Sequence, residues 1–113
     1  MKEIKAVIQP HIFTKVMEAL HAIPHFPGVT VSECEGQGRG RGRGGKYVPT
    51  VQSIFLNKMT KLEVICSDDI CDELARAIQH AAHTGNPGDG LVVVLDVPRV
   101  VRIRTGQEQD EAV

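Results

Sequence analysis

The sequence predicts an α+β domain with strand and helix in the order β-α-β-β-α-β. Three observations carry that prediction. Four short segments are rich in Val, Ile, Leu and Thr, with apolar residues at alternate positions or in continuous runs. Two longer segments between them repeat their apolar residues at helical spacing. The chain has 113 residues, 42% of them apolar, which suits one core. With three Phe, one Tyr and no Trp, that core must be built from aliphatic side chains.

Residues 3–8 open the chain as a strand, with Ile4, Ala6 and Ile8 on one face and Pro10 ending it. A helix follows, with Thr14 as its candidate cap. Ile12, Val16, Ala19, Leu20 and Ile23 lie along its buried side beside Phe13 and Met17, and it stops before Pro24. Residues 29–34 are β-branched and form the second strand. In the third, residues 61–66, Leu62, Val64 and Cys66 alternate with Lys61, Glu63 and Ile65. Ser67, Asp68 and Asp69 begin the second helix, because an acidic first turn complements the exposed N–H groups and the helix dipole. Ile70, Leu74, Ala77, Ile78 and Ala81 form its buried face, and Gly85 with Pro87 stops it. Residues 91–97 read as a well-buried fourth strand. Two such halves fold into a ferredoxin-like sandwich, a four-stranded antiparallel sheet with both helices on one face. The uncovered second face points to a symmetric oligomer.

Composition excludes several classes. Net charge is −1, so the whole molecule has no general attraction to nucleic acid or anionic lipid. The longest apolar run, residues 91–95, is too short to span a bilayer, and the start has no signal-peptide core, so a cytoplasmic location is expected. Cys34, Cys66 and Cys71 are odd in number and lack CxxC spacing, which argues against a disulfide framework or a structural zinc site. Cys66 and Cys71 are expected in the core. No nucleophile elbow or Ser/His/Asp grouping marks an enzyme.

Charge is uneven at one place. Residues 36–47 hold four cations, Arg39, Arg41, Arg43 and Lys46, and no anion, and end at the lone Tyr47. The segment interrupts the chain between two strands expected to be central, where a hairpin needs only about two to five residues. Long insertions of this kind are commonly functional.

Several segments resemble the P-II nitrogen-regulatory signalling proteins: "MKEIKAVIQP", "GVTVSECEGQGR", "GKYVP", "FLNK", "KLEVICSDD", "AAHTGNPGDGLVVVLDV" and "RVVRIRTGQE". The resemblance implies a homotrimer with ATP or ADP in each cleft between subunits. It also implies a long T-loop, residues 37–57, that engages a regulated target protein, and a C-terminal tail over 105–113. Position by position, Val7, Thr30, Gln37, Gly38, Glu63 and Ile65 would lie around base and ribose. Gly88, Asp89 and Gly90 would approach the phosphates, with Arg102, Arg104 and the loop-base Lys58 reaching them. The chemistry agrees: glycines let backbone N–H groups come close to phosphate. Two arginines spaced two apart on an extended segment project the same way, each charge-assisted bond contributing about 1.5–3 kcal/mol.

The sequence also departs from the family pattern. Leu91 stands where a basic residue normally follows the GDG turn, and Gln37 where an aromatic is usual. Gly40 replaces the glutamine that holds Mg2+ and 2-oxoglutarate, which weakens the case for both. Tyr47 falls several residues early for the modified tyrosine of the loop. Nucleotide binding to ATP, ADP or AMP stays open on these residues. The arginine-rich loop resembles a divergent branch associated with heavy-metal efflux, so a membrane transporter or efflux pump is a candidate target.

Two rival readings use the same residues. An RNA-recognition module with an arginine–glycine box would stack bases on aromatics of the central strands, and residues 3–8 and 61–66 contain none. A trimeric metal-tolerance protein of the CutA kind shares the fold, and His80 and His83 are spaced to share a metal, but no third ligand is in sight.

Overall fold

The computed structural model describes residues 1–38 and 56–113. Its elements are β1 (Lys2–Ile8), α1 (Phe13–His21), β2 (Thr30–Gly36), β3 (Asn57–Cys66), α2 (Asp68–Ala82) and β4 (Gly90–Asp96), with 3-10 turns at Pro10–Ile12 and Gln109–Ala112. The strands form one sheet in the order β2-β3-β1-β4, and every neighbouring pair is antiparallel. This is the ferredoxin-like arrangement expected.

The core lies between the sheet and the helices. Ile4, Ala6 and Ile8 of β1 and Leu62, Val64 and Cys66 of β3 are buried on one sheet face. Against them pack Val16 and Leu20 of α1 and Cys71, Leu74 and Ile78 of α2. Each fully buried Leu or Ile contributes about 1.5–3 kcal/mol, so the two central strands and two helix stripes carry most of the stability. Cys66 and Cys71 are core residues as anticipated, and burial, with Cys71 beside it, pushes the Cys66 thiol up to about 12.

Several expectations need correction. β4 is not well buried: Leu91, Val93, Val94 and Leu95 are all exposed. It is an edge strand, and the helices pack closely only on its Val92 side, while Leu91, Val93 and Leu95 alternate onto the open face. β2 is the opposite edge strand, so the glycine–arginine insertion leaves an edge strand and returns into a central one. β3 begins four residues earlier than its alternation suggested, at Asn57, because pairing with β2 continues to Gly36↔Asn57.

The predicted cap of α1 does not act as one, whereas α2 starts where its acidic first turn placed it. Thr14 lies inside α1, which Ile12 precedes without a side-chain cap, and the 3-10 turn carrying Pro10 leads in instead. Ser67 precedes α2 but makes no side-chain cap bond. Asp68 instead pairs at 2.9 Å with the Met1 ammonium, whose hydrogen bond and charge lower the Asp68 pKa. On α2, Ala82 is buried in addition to the expected residues, while Ile70 and Ala77, expected on the buried face, are only half-buried. Gly85, at φ +86°, stands two residues beyond the helix-ending His83.

Candidate functional site

A groove of about 750 Å3 opens at one end of the sheet, within the size range of small-ligand pockets. Three chain reversals meet there. β1 runs out through Val7 and Gln9, β2 ends through Gly36, Gln37 and Gly38, and β4 begins after the turn at Gly88, Asp89 and Gly90. Asn57 and Met59 of β3 and Leu91 of β4 complete the wall.

The turn before β4 is built for one shape. Gly90 has φ +105°, and a Cβ on it would lie 1.7 Å from the Val7 carbonyl oxygen, so only glycine lets β4 close against β1 here. Gly88 also has positive φ, +92°. The Gly88 carbonyl accepts a hydrogen bond from the Gln9 amide, which is 6% exposed and therefore fixes the turn from beneath. Asp89 ties the turn to the end of α2. It accepts bonds from the Thr84 N–H at 2.7 Å, the Gly85 N–H at 3.1 Å and the Thr84 hydroxyl. Burial pushes the Asp89 carboxyl up, but the Thr84 hydroxyl, these N–H groups and nearby His83 outweigh it and hold it below the usual range.

Six of the residues singled out from sequence come together in this groove: Val7, Gln37, Gly38, Gly88, Asp89 and Gly90. Others do not. Thr30 pairs with Glu63 at the far end of β2, and Ile65 lies further along β3 opposite Glu3, all on the open sheet face. Lys58 lines a separate hollow of about 370 Å3 with Glu33, Cys34 and Glu35.

Arg102 and Arg104 also lie outside the groove of their own chain, and the extended segment expected for them is a turn. The Gly106 N–H donates to the Arg102 carbonyl at 2.8 Å, Gly106 has φ +74°, and the Arg102 N–H donates to the Gln107 carbonyl at 2.8 Å. Arg104 therefore sits in the bend, while Arg102 Nε donates to the Ala112 carbonyl at 2.8 Å and holds the C-terminal 3-10 turn. Arg39, Arg41, Arg43, Lys46 and Tyr47 lie outside the described residues.

His80 on α2 and His83 just beyond its end are both exposed. His83 Nδ1 lies 3.9 Å from Asp89 Oδ2, and among the described residues no three His, Cys, Asp or Glu side chains gather in a metal-binding group. Sequence reasoning missed Gln9, Asn57 and Met59. Gln9 had one usable signal: a polar residue next to Pro10 at the end of a core strand has to satisfy its amide somewhere.

The groove's chemistry is mixed. Val7, Met59 and Leu91 offer apolar surface for a flat ring, and the side-chain amides of Gln9, Gln37, Asn57 and Asn86 offer donors and acceptors beside it. Among the described residues no Lys or Arg lines it.

Comparison with known proteins places this geometry in context. The family model for Nitrogen regulatory protein P-II matches residues 1–107. Nitrogen regulatory protein P-II of Azospirillum brasilense is 43% identical over 118 aligned residues, covering all of both chains. Nitrogen regulatory protein P-II of Klebsiella oxytoca and Nitrogen regulatory protein P-II 1 of Escherichia coli K12 are each 42% identical over 113 residues, again across the full length of both.

Proposed function

The chain belongs to the nitrogen regulatory protein P-II family, and from that premise we propose that it is a signal-transduction regulator working as a homotrimer. It binds adenine nucleotide at the groove beside the Gly88–Gly90 turn and controls a target protein through the segment leaving β2. One observation carries this reading. The fixed turn before β4 and the root of the inserted segment, Gln37 and Gly38, are opposite walls of the same groove. A ligand held there touches both. It can shift the segment by as much as its contacts favour one arrangement over another.

Trimer formation gives the open sheet face a partner. Leu91, Val93 and Leu95 alternate along its β4 edge, and Ile103 beyond β4 is fully exposed. A single chain leaves this apolar surface in water. In the trimer a neighbouring copy covers it and brings its own Arg102 and Arg104 to the groove, supplying the cations that the groove's described wall does not contain. The target, a transporter or efflux pump among the candidates, meets the charged insertion carrying Arg39, Arg41, Arg43 and Lys46.

Calorimetry with ATP, ADP and AMP tests the reading. Saturable binding at one nucleotide per chain is expected. Arg102→Ala combined with Arg104→Ala should abolish it while leaving the main sheet and helix signals of the circular dichroism spectrum in place, the loss of structure being confined to the C-terminal turn that Arg102 holds. Failure of all three nucleotides to bind the intact protein would refute the proposal.

A further inference from the structure

Beyond β4 the chain doubles back through the Val101↔Glu108 bridge, and the 3-10 turn Gln109–Ala112 lies along the returning arm. Gln109 fastens that turn. Its N–H donates to the Val100 carbonyl at 3.0 Å, its side-chain oxygen accepts from the Val100 N–H at 3.0 Å, and its amide nitrogen donates to the Pro98 carbonyl at 3.3 Å. Arg99 pairs with Glu108 beside it. Gln109 also holds φ +56°, a conformation that costs a non-glycine residue energy and persists where its surroundings impose it. At the other end of the turn Ala112 is 4% exposed, so the turn is anchored at both ends.

What the anchored turn presents is the Ala112 carbonyl, which accepts from Arg102 Nε at 2.8 Å. The acceptor is neutral, and among the described residues no Asp or Glu forms an ion pair with Arg102. Residues 39–55 contain no Asp or Glu at all. The guanidinium therefore keeps its charge for an outside anion. Nε is the inner donor of its fork, so the two terminal amino groups stay available for a bidentate contact. An arginine that meets an anion ordinarily gives up rotamer freedom at that moment, whereas here folding of the turn has already restricted it. Resting on the nucleotide reading above, we infer that Gln109–Ala112 is a positioning element for Arg102. It presets the guanidinium on the arm that one copy offers to its neighbour, and so strengthens the grip on the nucleotide's phosphates.

The test is calorimetry of the full-length protein with ATP and ADP. Gln109→Ala removes the side-chain bonds that fasten the turn, and Ala112→Gln is uncharged but too large for its buried position. Each is measured alone and combined with Arg102→Lys, which keeps the charge but has no Nε–H. Each turn variant alone should weaken nucleotide binding about three- to tenfold. In the Arg102→Lys background the same changes should have effects within about twofold, because the contact they disturb is already gone. A loss of full size in that background would overturn the inference, since the turn would then act through folding or assembly and not through Arg102. Unchanged affinity in both turn variants would overturn it and leave the nucleotide reading standing. Failure of the parent to bind either nucleotide would end both.

Discussion

Replacing Gly90 with alanine should cost far more than the addition of one methyl group suggests. The residue has φ +105°, and its Cβ would sit 1.7 Å from the Val7 oxygen and 2.8 Å from the Val7 carbonyl carbon. Ordinary contact begins at 3.4 Å, so the two strands must part by more than about 1.5 Å at this point. Both obstructing atoms are backbone, and no rotamer change relieves them. Gly90 faces Ile8 in the last pair of the β1–β4 ladder, so the cheapest relief is to peel the start of β4 from β1. Conformational strain contributes about 1–3 kcal/mol and loss of the terminal ladder bond about 1 kcal/mol. The sum is about 2–4 kcal/mol, or a fall in Tm of about 8–16 °C.

Gly28→Ala is the matched control. Its φ is +110°, but nothing lies within 4 Å of the added carbon, so it has strain without collision. Thermal and urea denaturation followed by circular dichroism, at one protein concentration because self-association shifts apparent stability, should place Gly90→Ala at least about 1 kcal/mol below Gly28→Ala. Equal losses in the two variants would refute the claim that close approach of β4 to β1 forces glycine at this position.

Two further predictions concern the ends of α2. Asp89→Asn removes a carboxylate that accepts bonds from Thr84 and Gly85, at a cost of about 1–2 kcal/mol at neutral pH. Because the folded-state pKa is depressed below its ordinary value of about 3.9, that contribution is complete above about pH 4 and is lost as pH falls through the folded value. The gap between the melting temperatures of parent and variant should therefore narrow as pH falls below about 4, and a gap unchanged throughout the acid titration would count against the assignment. At the start of α2, the buried Cys66 and Cys71 should resist a thiol reagent while half-buried Cys34 reacts, giving one fast thiol in the native protein and three in denaturant. Two fast thiols in the native state would show that the strand–helix junction opens readily.

The parts of the fold that sequence revealed are those where burial is one-sided. Ile4, Ala6 and Ile8 alternate cleanly because one face of β1 meets the helices and the other does not. The β4 run gave a misleading answer for the same physical reason. Its apolar residues occupy both faces, which suits a strand buried on both sides or an edge strand with an uncovered apolar face, and periodicity cannot separate the two. Asn57 and Lys58 were invisible as strand because their place is set by pairing with β2 and not by their own side chains. Within the site, the glycines of the 88–90 turn were legible, since positive φ and close approach need glycine. The bend at Arg104 was not. "RIRTG" reads as extended until Gly106 closes the turn onto Arg102 inside the Val101↔Glu108 bridge.

The position of the groove follows from the sheet order. β1 is central, and its C-terminal end is flanked by the start of β4 on one side and by β3, paired to the end of β2, on the other. On the β4 side the three turn residues are held: Gly90 close against the Val7 backbone, Gly88 by Gln9, Asp89 by Thr84 and Gly85. On the β2 side the ladder ends at Gly36↔Asn57, and Gln37 and Gly38 continue beyond any strand pairing. A ligand spanning the groove would therefore meet a hydrogen-bonded turn on one side and, on the other, backbone that lies beyond the β2–β3 ladder. If the proposed ligand binds, its contacts at Gln37 and Gly38 are the ones that can bias the insertion they begin, by as much as they favour one arrangement over another.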